Sequence, residues 1–128
     1  MTSPFIRSSE AKHFFIASLA GVPNGQGKAS LRQFPRGEQM LLLEVTCPAG
    51  HHSPLHDHDH ESIGYMVSGE LETEIDGVKY LVKPGDVFIH PAHVKHRQRV
   101  IKDSVWIEIK SPAPDRRTED GYWVRDKK

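Results

Sequence analysis

From Met40 onward the chain alternates short apolar runs with turn residues. Met40–Thr46 is an apolar run broken by Glu44. It has strand length and ends at Pro48-Ala49-Gly50. Ser62–Val67 is a second run, closed by Ser68-Gly69. In Leu71–Ile75, Leu71, Thr73 and Ile75 fall on one face and Glu70, Glu72 and Glu74 on the other. Asp76-Gly77 predicts a tight hairpin turn, with Val78–Val82 as the return strand. Lys83-Pro84-Gly85-Asp86 is the next turn. Val87–Ile89 and His96–Val100 follow as short strands around Pro91-Ala92. Val105–Ile109 is the last clear strand, with Val105, Ile107 and Ile109 opposite Trp106 and Glu108. Many short strands with regular turns predict an all-β sandwich or barrel.

The first 39 residues are read as N-terminal strands without detail. Ser8-Ser9-Glu10-Ala11 can cap a short helix, and Phe14-Phe15-Ile16 can equally be strand. Val22–Ala29 reads as a loop. The tail, 111–128, is proline-bearing and charged, with Tyr122 and Trp123 as a docking point on the surface. At 128 residues the chain fits one domain, with its barrel core at about 40–110. The formal net charge of zero argues against a nucleic-acid partner. Phe14–Ala20 is too short and interrupted for a membrane span. One cysteine, Cys47, cannot close an internal disulfide, so the expected compartment is the cytoplasm. Cys47 itself reads as a small buried hydrophobe.

Five of the nine histidines fall between His51 and His60. His56 and His58 are two apart, and residues i and i+2 of an extended strand share a face. Paired imidazoles suit zinc, iron, nickel and copper, and manganese with oxygen co-ligands. His96 opens a later strand and can supply a third ligand. The alternative is a solvated histidine-rich loop that chelates metal loosely. His51 and His52 are read in that way. His60 has the parity of His56 and His58 but points away if the chain turns after His58.

Gly50-His51-His52-Ser53-Pro54-Leu55-His56-Asp57-His58, followed by Gly69, resembles the first cupin motif. Gly85, five residues, Pro91 and then His96 resembles the second. The likeness covers Gly50–Arg99 and extends with its flanking strands to about Met40–Ile109. It implies a double-stranded β-helix, or jelly roll, with one divalent ion (Zn, Fe, Mn, Ni or Cu) in the barrel mouth, ligated by His56, His58 and His96. The family usually places a Glu or Gln six residues after the first histidine, where this chain has Ser62. The expectation is a three-histidine site completed there by water. Glu61 has the wrong parity to replace the ligand unless the strand bulges, and otherwise is a surface group or one that fixes a histidine tautomer. His93 stands where the motif has glycine. His93, His90 and Glu61 are weak candidates for catalysis at the rim; an exposed turn histidine is the alternative for His93.

Parity places Ser62, Gly64 and Met66 on the ligand face, joined by Gln98 from the strand of His96. The small Ser62 and Gly64 imply room beside the metal. Tyr65 faces outward. Arg32 and Arg36 are the arginines that can anchor an anionic substrate. Three histidines leave open coordination positions, as catalysis requires. The resemblance extends to small bacterial cupins, some of which act on uronate sugars; the metal carries over and the substrate does not, because the Gln ligand is missing. The expected function is a metal-dependent enzyme on a small oxygenated metabolite, sugar- or carboxylate-like, by isomerase or lyase chemistry ahead of dioxygenase chemistry. The alternative is a non-catalytic binder or sensor with a weakened metal site. By analogy a homodimer is expected, with the termini and the Trp106 face as candidate interface.

Overall fold

The computed structural model describes residues 3–16, 18–19, 22–23, 29–119 and 121–126, with the side chains at 18–19 and 22–23 left aside. Among the described residues a 3-10 turn at Ser8–Glu10 precedes eleven strands. They are β1 (Lys12–Ile16), β2 (Ser18–Leu19), β3 (Val22–Pro23), β4 (Ala29–Gln33), β5 (Leu41–Cys47), β6 (Glu61–Ile75), β7 (Val78–Val82), β8 (Val87–His90), β9 (His96–Ser111), β10 (Arg116–Arg117) and β11 (Trp123–Val124). Where the sequence left a short helix and a strand as alternatives, the structure has a 3-10 turn at Ser8–Glu10 followed by a strand holding Phe14–Ile16. Of the expected loop, 24–28 lie outside the described residues, while Val22–Pro23 and Ala29 are strand. Among the described residues no helix is long and apolar enough to cross a membrane.

The main sheet is antiparallel in the order β1-β4-β5-β9-β6-β7, with β8 on the other half of β6. This is a jelly roll. Its two long strands each replace two expected short ones: Ser62–Val67 and Leu71–Ile75 are one strand, and so are His96–Val100 and Val105–Ile109. The Ser68-Gly69 break is a bulge and not a turn. The β6–β9 register shifts between Met66 and Leu71, and pairing resumes. Gly69 has φ of 91°, and a Cβ there would collide with the Asp103 carbonyl and Ser104, so no other residue fits the bulge. Asp76 and Gly77, at φ of 51° and 80°, form the expected hairpin turn between β6 and β7.

Leu31, Leu41, Leu43, Val45, Met66, Leu71, Val82, Phe88, Val100 and Trp106 build the core. Burying each side chain of this size contributes about 1.5–3 kcal/mol before entropy is charged against it. Trp106 is 4% exposed and faces inward, which corrects the expectation that its face forms an interface. The period-2 pattern of β9 holds, but its sense is Trp106, Glu108 and Lys110 inside and Val105, Ile107 and Ile109 toward the outer face.

Candidate metal centre

One end of the barrel interior is polar, and strand pairing explains why. The His51–His56 segment runs antiparallel to the start of β9. His56 bridges His96, with the His56 and His96 amides each bonding the other's carbonyl at 3.0 and 2.8 Å. The Ser53 N–H donates to the Gln98 carbonyl at 2.9 Å, and the Val100 N–H donates to the His51 carbonyl at 2.8 Å. His93, at φ of 63°, donates its N–H to the His58 carbonyl at 2.7 Å and so ties the turn after Pro91 to the ligand loop.

These contacts bring His56, His58 and His96 together. One nitrogen of each lies within 4.8 Å of the others. A tetrahedral ion with ordinary metal–nitrogen bonds asks for about 3.4 Å between donors, a small contraction. The donor chemistry fits a divalent ion. The His56 Nδ1 lies 2.6 Å from the Pro54 carbonyl and the His96 Nδ1 3.4 Å from that of Val94. A ring nitrogen that donates to a carbonyl leaves the other nitrogen's lone pair free for a metal. Burial lowers the pKa of His56 and His58, and holds His96 at about 4 with help from the neighbouring His56. All three are therefore neutral at physiological pH, as ligation requires.

Four further groups surround the trio. His90 stacks on His96, with ring centroids 3.8 Å apart, and shares a 3.0 Å hydrogen bond with Thr73 Oγ1. His60 is buried and stacks on His58 at 4.6 Å. It points inward, and its Nε2 lies 3.2 Å from the Lys110 Nζ. Lys110 is 3% exposed and donates to Ser62 Oγ at 3.1 Å and to Glu108 Oε2 at 2.7 Å. Glu108 also accepts from Trp106 Nε1 at 3.1 Å. Burial alone would raise the Glu108 carboxyl, but the charge and hydrogen bond of Lys110, with His90 and the indole N–H, outweigh it and bring it down to about 2.

Glu108 and Lys110 are the polar groups that sequence reasoning missed. Their register is Gly64 opposite Glu108 and Ser62 opposite Lys110. The Ser62 position therefore does not open onto free space: the Lys110 ammonium holds its hydroxyl. Gly64 is not open either, since a Cβ there would run into the Phe88 ring. Of the expected pocket residues, Gln98 lines the cavity, whereas Ser62 and Met66 are buried beneath its surface. Glu61 and His93 are exposed and line no part of it, while His90 does. His51, expected at the surface, is 7% exposed and lines the cavity. Arg32 pairs with Glu44 at 3.3 Å and Arg36 with Asp115 at 2.6 Å, both outside the cavity.

The cavity holds about 100 Å³ of water-accessible space. The histidines, Gln98, Glu108, Lys110 and Arg117 line it together with Ile16, Leu31, Leu43, Val45, Val100 and Trp106, and the polar and apolar groups are interleaved: Leu43 pairs with Glu108 and Val45 with Trp106 across β5 and β9. Trp123 from the tail also lines it, its ring 5.3 Å from the Lys110 Nζ, while Tyr122 stays half-exposed. Cys47 is buried in this wall and its thiol is pushed up to about 12, chiefly by burial, so it is no nucleophile.

The family model for the cupin domain matches residues 43–109, more than half of the chain. The chain belongs to the cupin family. Among solved structures, this cupin is 30% identical to KdgF from Halomonas sp., with a TM-score of 0.65 over 68% of this chain and 82% of that one. It is 21% identical to an RmlC-like cupin from Shewanella frigidimarina (TM-score 0.71; 89% and 95% covered). It is 22% identical to a predicted oxalate decarboxylase from Thermotoga maritima (TM-score 0.70; 84% and 98% covered). The last two likenesses are of fold alone. No curated protein sequence matches this cupin.

Proposed function

We propose that this cupin is a metal-dependent enzyme acting on a small oxygenated metabolite, with isomerase or lyase chemistry ahead of dioxygenase chemistry. One observation carries the reading: three neutral imidazoles converge on a cavity that also holds an ionised carboxylate, Glu108, and an ammonium, Lys110. His56, His58 and His96 would hold one divalent ion of Zn, Fe, Mn, Ni or Cu. Such an ion polarises a carbonyl or lowers the pKa of a bound water. Glu108 stays deprotonated through neutral pH; with its pKa held at about 2 by Lys110 it is a weak base, and its role is to accept a hydrogen bond from a substrate hydroxyl and orient it. Lys110 can hold the developing negative charge. His90 and Thr73 brace His96 from behind.

The second reading, a non-catalytic binder or sensor, also has its observation. Lys110 puts a cation at Ser62, where the family usually has a metal-binding Glu or Gln, and a nearby cation weakens metal affinity. The test incubates metal-loaded and metal-free protein with 2-oxo acids, 2-hydroxy acids and sugar acids and follows them by proton NMR. Metal-dependent conversion that is lost in Glu108→Gln supports the enzyme. Thermal stabilisation by the same compounds without conversion supports the binder.

The same reading takes a second copy of the chain as partner, in the cytoplasm, with Cys47 unpaired. The outer face pairs Ile63 with Ile89 and Tyr65 with Val87. These four and Val67 are 40–54% exposed, and Leu42 adds 39%. Six such side chains present roughly 500 Å² of apolar surface, large for a monomer and more than half of the about 800 Å² per partner of a standard interface. Light scattering of Ile63→Lys, Ile89→Glu should show a monomer where the parent is a dimer; a monomeric parent contradicts the assembly.

A further inference from the structure

We propose that His51 and Gln98 form an oxygen-recognition subsite that, with the cavity's apolar lining, selects a carboxylic acid bearing an apolar body over a sugar acid. This deepens the enzyme reading above and rests on it for the role of the histidine trio.

The observation is a pair of unpaired polar atoms in a cavity wall. The His51 Nε2 and the Gln98 Nε2 are both buried without a hydrogen-bond partner, and both residues line the cavity. Buried polar groups are almost always satisfied, so two such atoms on one cavity take their partners from the cavity itself, from water or from the oxygens of a ligand that displaces it. Their positions are fixed. Gln98 is two residues beyond His96 on β9, and its N–H donates to Ser53 Oγ at 2.9 Å. The backbone of His51 is held by Val100, two residues further on. The pair thus sits beyond the metal-ligand row, about 7 Å along the strand from His96 to Gln98. The amide N–H and an imidazole nitrogen can together take the oxygens of a carboxyl or carbonyl head.

The apolar part of the lining decides the body, since Ser53, His52 and Arg117 are the other polar groups there. Leu31, Leu43, Val45 and Trp106 offer no hydrogen bond from their side chains except the Trp106 N–H, which Glu108 already takes. A sugar acid carries a hydroxyl on nearly every carbon and would leave several unsatisfied against that lining. An aryl or branched alkyl body loses nothing there and is removed from water.

The test titrates 2-oxo-4-phenylbutanoate and galacturonate into zinc-loaded protein by calorimetry, with wild type, His51→Phe and Gln98→Leu. The phenyl acid should bind at least tenfold tighter than galacturonate, and each variant should weaken it about tenfold. Because each variant replaces an orphaned polar group by an apolar one, its melting temperature should hold or rise while affinity falls. Equal or tighter galacturonate binding, no phenyl-acid binding at millimolar concentration, wild-type affinity in both variants, or a fall in melting temperature that accompanies the lost affinity overturns the subsite. Repeating the titration on metal-free protein separates the two ideas. Variant-sensitive binding that ignores the metal keeps the subsite and removes the metal reading; metal-dependent binding that ignores both variants does the reverse.

Discussion

Replacing Lys110 by Met keeps the apolar stem and removes the charge that faces Glu108. At 2.7 Å and an effective dielectric of 20, the gross attraction between the two is about 6 kcal/mol. Desolvating both groups takes back most of that in the intact pair. Removing one partner is different, because Glu108 remains in the interior, its side chain 13% exposed, with only the Trp106 N–H to hold it. Breaking such a pair typically costs about 3–5 kcal/mol, a large share of the about 5–15 kcal/mol by which a domain is stable. The assay is urea unfolding at pH 7 of wild type, Lys110→Met, Glu108→Gln and the double variant. Lys110→Met should lose about 3–5 kcal/mol, and adding Glu108→Gln should recover at least about half of it. The pH dependence gives a second check. In wild type the Glu108 pKa is lowered from 4.5 to about 2, so its contribution is present above pH 4.5 and is lost as pH falls toward 2. In Lys110→Met, burial dominates and raises that pKa, so the penalty is largest above it and relaxes as pH falls. The gap between the two proteins should therefore narrow with acid. A loss below about 1 kcal/mol, or effects that simply add, would refute the claim that this pair is a coupled buried unit.

Two further outcomes follow from the same geometry. Gly64→Ala drives a Cβ into the Phe88 ring and should cost about 1–3 kcal/mol in urea unfolding, with Phe88→Leu recovering part of it; an unchanged midpoint contradicts the contact. Burial holds His60 and His90 at about 3 and His96 at about 4, whereas the unfolded histidines titrate near 6.5. Between those values the unfolded chain binds more protons, so metal-free protein should lose stability as pH falls from 6.5 toward 4. Urea midpoints that stay level from pH 7.5 to 5 would contradict it.

The barrel was legible from short-range features, apolar alternation and turn residues; the histidine trio was legible from the likeness of Gly50–His58 and Gly85–His96 to the two cupin motifs, since parity alone pairs only His56 with His58. Glu108 and Lys110 were not, and β9 shows why. Period-2 alternation separates two faces but does not say which is inside. Val105, Ile107 and Ile109 alternate with Trp106 and Glu108 without a sign of which set is inside; the structure puts Trp106, Glu108 and Lys110 inside and the isoleucines toward the outer apolar face. Long-range contacts also fill the space that the small Ser62 and Gly64 seemed to leave. What fills it comes from strands 24 to 48 residues away, Phe88 and Lys110, which no local pattern connects to them. His51 looked like one more loop histidine. Its burial depends on the backbone ladder to Val100, again a long-range contact.

The central claim is that three histidines hold one metal ion in the barrel mouth. Elemental analysis of untagged protein purified without chelator, beside a His56→Ala, His96→Ala double variant, tests it most directly. The account predicts about one equivalent of a single divalent metal in the parent and its loss in the variant. Sub-stoichiometric metal that persists in the variant would contradict it and leave the His51–His60 segment as a loose chelator.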